Sequence, residues 1–130
     1  MLITWVFTYM EQIFSKLEFI THGEGFIDIT SDLNLFIEKN NFDSGMLNLT
    51  ALHTSCSLTI NENADPNVLK DLREYMQSKV PYNSNVTLSK SREEISYKHY
   101  QEGADDMPAH IKTSLTNTCL SLSLDRKSVV

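Results

Sequence analysis

The chain has 130 residues, 41% of them hydrophobic and 22% charged, with a formal net charge of −6 at neutral pH. That length fits one domain, 1–130, with a core of its own, and the composition is globular rather than disordered. The acidic balance, with no Lys/Arg-rich run, argues against a nucleic-acid duplex or an anionic membrane as the main partner, while local cations leave a small phosphorylated molecule open.

Residues 1–10, "MLITWVFTYM", are apolar but shorter than the 20 or so residues that span a bilayer. No basic n-region marks a signal peptide. They read as an extra lead-in to a cytoplasmic protein. The alternation in "QIFSKLEFI" puts Ile13, Leu17 and Phe19 on one face and predicts a strand. After the turn His22–Gly25, "GFIDIT" predicts a second, short strand, with Thr30 or Ser31 capping the helix that follows. In that helix Leu33, Phe36 and Ile37 recur at i, i+3 and i+4, and Asn40-Asn41 ends it.

"SGMLNLTALHTSCSLTI" is the next strand region, with Leu47, Leu49, Ala51 and His53 on one face. Leu58 and Ile60 fall on the other parity. A period of two cannot change face without a bulge or bend, so the ladder is expected to break between His53 and Leu58. Asp65-Pro66 carries strong helix-start signals, a side chain that accepts free N–H groups and a ring suited to the first turn. Val68, Leu69, Leu72 and Met76 form the apolar stripe of that helix, which ends before Val80-Pro81. Residues 82–96 are polar and turn-rich and read as a surface loop. Pro108 marks another helix start, with Asp105 or Asp106 at the cap. In "TCLSLSL", Leu120, Leu122 and Leu124 point inward, and "DRK" is a turn. Strands and short helices without a βαβ rhythm give an α+β fold, mostly antiparallel, with two or three short helices.

Three histidines lie in polar, structured contexts: His53, His99 and His110. A zinc-type catalytic centre takes three protein ligands and an open position. The spacing holds no tight H-x-x-x-H pair, so hydrogen-bonded surface histidines account for the same pattern. Glu62 is a candidate proton-transfer group. Asp65 and Asp106 read first as caps, Asn61 and Asn63 as turn residues, and Glu102 as a solvated carboxylate; magnesium would draw on this oxygen supply. Lys112, just after His110, is a possible phosphate contact beside a helix N-terminus. Cys56 and Cys119, far apart, read as free thiols of a reducing compartment.

"GFIDIT", "LHTSCSLTINENADPNVLKDL" and "YKHYQEGADDMPAHIKTSL" together resemble the YjbQ-type family, often labelled secondary thiamine-phosphate synthase. The likeness runs from about Gly25 to Leu124. It implies an α+β fold assembled as a homotrimer and a site where His53, His99 and His110 approach one another around a divalent metal, zinc first and magnesium second. Asn61, Asn63 and Asp65 would line the substrate pocket, with Glu62 as acid or base and Lys112 on a phosphate. The implied reaction joins a pyrimidine pyrophosphate to a thiazole phosphate. The alternatives are a metal-dependent hydrolase and a non-catalytic oligomerising or ligand-binding domain. Three features depart from the family pattern: Cys56 replaces an alanine, the 82–96 loop is longer, and the chain after Leu124 lacks the glycine turn and strand, so the sheet is expected to miss its last hairpin.

Overall fold

Among the described residues, three helices and two antiparallel sheets build the α+β fold that the sequence predicts. The computed structural model describes residues 9–62, 64–82, 86–87, 94–95, 97–125 and 128–129. The order is α1 (Thr30–Lys39), β1 (Ser44–Thr50), α2 (Pro66–Lys79), β2 (Val86–Thr87), β3 (Glu94–Ile95), α3 (Asp106–Ser114), β4 (Cys119–Asp125) and β5 (Ser128–Val129). The main sheet has the order β1-β4-β5, and β2-β3 is a separate pair.

The apolar stripe of α1 makes the core. Leu33 is 5% exposed and Ile37 is 0% exposed. The helix stops where an asparagine can turn left-handed. Asn41 has φ of 55°, and its N–H bonds the Glu38 carbonyl while the Phe42 N–H reaches back to Ile37. This is the Schellman arrangement, with asparagine in the place usually taken by glycine. The Asn40 side-chain amide adds a bond to the Phe36 carbonyl at 2.7 Å. At the other end the cap is neither Thr30 nor Ser31: Thr30 is already helical, and its N–H donates to Asp28 Oδ1 at 2.9 Å.

β1 and β4 pair through Leu47↔Leu122 and Leu49↔Leu120, so the expected leucine face closes over α1. Leu122 and Leu124 are buried, and the intervening serines are exposed. Ile37 and Leu124 line one cleft with Phe36, Phe42 and Leu47. β4 pairs with β5 through Leu124↔Val129 and Asp125↔Ser128, on either side of the turn expected at "DRK".

Two predicted strands are not formed. Residues 12–20 and 25–29 have no ladder. The alternation in the first is nevertheless real: Ile13, Leu17 and Phe19 are 39%, 43% and 40% exposed, against 86% for Phe14 and 81% for Ile20. One face is less exposed than the other, but a strand also needs a partner for its backbone groups, and among the described residues none is paired to it. In the second, the Asp28 side chain is already used to start α1. Conversely, the 82–96 segment, read as a loop, contains the β2-β3 pair; most of the segment lies outside the described residues. Among the described residues no helix is long and apolar enough to cross a membrane. Cys56 and Cys119 are free thiols.

Candidate metal centre

The site begins at the break in the first ladder. The Ala51 N–H bonds the Thr118 carbonyl at 2.8 Å, and the neighbouring acceptor, Asn117, is taken by the Leu58 N–H at 2.7 Å. Residues 52–57 are therefore looped out of the sheet, as the change of apolar parity predicts. Both feet of this loop stand on the link between α3 and β4. That is why the loop reaches α3: the Thr54 carbonyl lies 3.3 Å from His110 Nδ1.

α3 presents Asp106 and His110 at i and i+4, on one face. The chain before it must double back to bring His99 to that face. It does so through a turn closed by the Gly103 N–H on the Tyr100 carbonyl. Gly103 has φ of 130°, and a Cβ there would stand 2.8 Å from Asp105 Oδ1, so the turn requires glycine. Asp105 is the N-cap residue without a side-chain cap bond, and Asp106 occupies the first turn, where the helix N-terminus favours an anion.

The result is a carboxylate held between two imidazoles. Asp106 Oδ2 is 2.8 Å from His99 Nε2 and 3.2 Å from His110 Nε2. The two rings have centroids 5.9 Å apart, inclined at 55°. One donor atom from each of His99, Asp106 and His110 lies within 4.8 Å of the other two. Glu102 Oε2 stands at the rim, 3.9 Å from His99 Nε2. A carbonyl only accepts, so the Thr54 contact requires the proton on His110 Nδ1 and leaves Nε2, which faces Asp106, with a free lone pair able to bind a metal.

The expected residues divide. His99 and His110 meet; His53 is not in the group. Its Nδ1 accepts the Ser55 N–H at 3.0 Å within the loop turn, so in place of three imidazoles the structure gathers two and a carboxylate. Asp106, read as a cap, is the bridging member. Asp65 is a cap: its Oδ1 accepts from the Asn67 N–H at 2.8 Å and from Nδ2 at 2.9 Å. Asn61 and Glu62 are exposed and outside the group, and Asn63 lies outside the described residues. Lys112 sits in the last turn of α3, far from the helix N-terminus, with its ammonium 2.9 Å from Glu24 Oε2. Its charge is matched by an anion rather than offered to a phosphate. The signal that could have found Asp106 is its i, i+4 spacing to His110.

Comparison with known proteins places the chain. A family profile described as "UPF0047 protein YjbQ-like" matches residues 15–130. UPF0047 protein YjbQ of Escherichia coli is 40% identical over 105 residues, which cover 80% of this chain and 68% of that protein. The Salmonella typhimurium protein of the same name is 44% identical over 80 residues, 62% of this chain and 50% of its own length. The chain thus spans from half to about two thirds of these relatives. Among solved structures, a conserved hypothetical protein of Thermus thermophilus superposes with a TM-score of 0.67 at 28% identity, covering 88% of this chain and 78% of that one. A YjbQ/UPF0047 protein of Clostridium acetobutylicum gives 0.62 at 26% identity, over 79% and 69%. The chain belongs to the UPF0047, YjbQ-like family.

Proposed function

We propose that this protein is a small metal-assisted enzyme in which His99, Asp106 and His110 hold a divalent ion, acting on a small phosphorylated molecule. One observation carries the reading: three donor atoms from two segments of chain lie within 4.8 Å of one another. Two imidazole nitrogens and one carboxylate oxygen are the donor set of a catalytic zinc centre with a position left open. Magnesium takes oxygen donors, and within this group only Asp106 offers one, so zinc fits better. Ligands of a tetrahedral ion with bonds of about 2.0–2.1 Å stand about 3.3 Å apart. The contacts at Asp106, 2.8 and 3.2 Å, need to open by only ~0.5 Å or less.

Such an ion would supply Lewis acidity toward a phosphoryl oxygen. The chain's own residues do the rest. Thr54 fixes the His110 ring with Nε2 turned inward, and the Gly103 turn sets His99 against α3. Glu102 at the rim and Glu62 on the exposed segment before α2 are the proton-transfer candidates, and Asn61, Asn63 and the rest of that segment are the proposed substrate side. The resemblance favours joining a pyrimidine pyrophosphate to a thiazole phosphate over metal-dependent hydrolysis. Incubating zinc-loaded protein with both precursors and following thiamine phosphate tests this; pyrophosphate release from the pyrimidine substrate alone would make it a hydrolase.

A homotrimer is part of the proposal. Phe14, Leu52 and Ile60 are 86%, 80% and 70% exposed, large apolar side chains that a subunit contact would cover. A non-catalytic trimeric binding domain is the second reading, supported by the same surface; it predicts ligand binding without turnover. The free thiols support a cytoplasmic setting.

A further inference from the structure

The rear of α3 carries a second polar cluster that the proposed centre does not use. Glu24, in the loop before α1, faces Lys112, with side chains 19% and 14% exposed and the ammonium 2.9 Å from Oε2. That oxygen is sealed from water and, apart from the ion pair, has no hydrogen-bond partner. The ammonium also lies over the Tyr82 ring, 5.1 Å from its centroid, and the side chains of Tyr82 and of Gln77 in α2 interact with Glu24. Four segments that do not otherwise share a ladder are joined here: the loop around Glu24, the end of α2, the turn after it, and α3. Burying such a set is unfavourable unless every charge is matched, so its retention beside the candidate site calls for a reason.

We infer that Glu24 and Lys112 are a positioning pair for the His99–Asp106–His110 centre, acting through the orientation of α3. At about 100° per residue, Lys112 is some 200° around the helix from His110. One face is held by the half-buried pair while the opposite face carries the ligands. The tolerance is small. Metal–ligand distances must hold within about 0.2 Å, and a donor atom about 6 Å from the helix axis moves that far when the helix rolls by only ~2°. Buried Pro108 and Thr113 limit the roll by packing. The ion pair adds a directional restraint on the same helix.

This inference rests on the metal reading, and the experiment separates the two. Cobalt(II) is titrated into the full chain, following its visible d–d bands and its affinity by chelator competition. The variants are E24Q, which keeps the shape of Glu24 but removes its charge and turns one acceptor oxygen into an amide donor, and E24Q/K112M, which removes both charges. Both are expected to bind cobalt 10-fold or more weaker with shifted bands, at unchanged circular dichroism, and K112R is expected to return toward the parent spectrum. Parent-like affinity and bands in both variants would overturn the positioning role while leaving the centre intact. A parent chain that takes up no cobalt would overturn the metal reading and the positioning role together. Should E24Q/K112M fail to fold, E24Q still decides.

Discussion

Asp106→Asn is the most informative single substitution. The carboxylate touches His99 Nε2 at 2.8 Å and His110 Nε2 at 3.2 Å. With the His110 proton on Nδ1, only the His99 contact is a hydrogen bond. A fully buried charge-assisted hydrogen bond contributes about 1.5–3 kcal/mol. Here the side chains of His99 and Asp106 are 44% and 21% exposed, so screening reduces the contact to roughly 0.5–1 kcal/mol. The variant should lose about that much, a fall in Tm of about 2–4 °C for a domain of this size. Zinc amplifies the difference. At 100 times its dissociation constant a ligand adds about 2.7 kcal/mol, which raises the parent Tm by about 10 °C. If losing the shared carboxylate weakens zinc about 100-fold, the same zinc concentration adds only about 0.4 kcal/mol, a rise of about 1–2 °C. Thermal unfolding by circular dichroism, with and without zinc, reads both numbers. A variant that keeps the full zinc-induced rise would refute the reasoning, because Asp106 would then not be a ligand.

Ile37→Ala removes a side chain that is 0% exposed and should cost about 2–5 kcal/mol in urea unfolding. Asp65→Ala leaves the Asn67 N–H without its cap and should cost about 1 kcal/mol, with zinc binding unchanged. The Tyr82 phenol is pushed up to about 12 by burial and by its hydrogen bond to Glu24. The fold therefore favours the protonated form, and that stability is complete below about pH 10 and lost as pH climbs toward 12; Tyr82→Phe should flatten the alkaline limb. Glu24 has the opposite sense. Burial pushes its carboxyl up, but hydrogen bonds from Tyr82 and Lys112 outweigh burial and hold it below its ordinary value of 4.5. Its contribution is complete above pH 4.5 and lost as pH falls below that, a loss that Glu24→Gln should remove from the acid limb.

What could be read from the sequence was local. Asp65-Pro66 starts α2 because cap chemistry needs only neighbours in the chain. The parity change after His53 revealed the 52–57 loop because the two faces of a strand are fixed by counting. The "QIFSKLEFI" alternation was misleading for the same reason. It reports which side is apolar, and it cannot report whether a partner strand is there to take the backbone hydrogen bonds. The site was half legible. His99 and His110 stood out as residue types, but where the loop turns His53 depends on the Ser55 N–H that its ring accepts. Asp106 reads as a helix cap because a carboxylate at a helix start serves capping and pairing with the i+4 histidine equally well. Lys112 passed as a phosphate contact because its partner, Glu24, lies 88 positions earlier in the chain, a distance over which sequence pattern carries no pairing information.

The central claim is most directly tested by anomalous diffraction at the zinc edge from crystals grown with zinc. The account predicts one peak bonded to His99 Nε2, His110 Nε2 and Asp106 at about 2.0–2.2 Å. Zinc-saturated crystals with no density between those side chains, or with the two rings turned from Asp106, would contradict it.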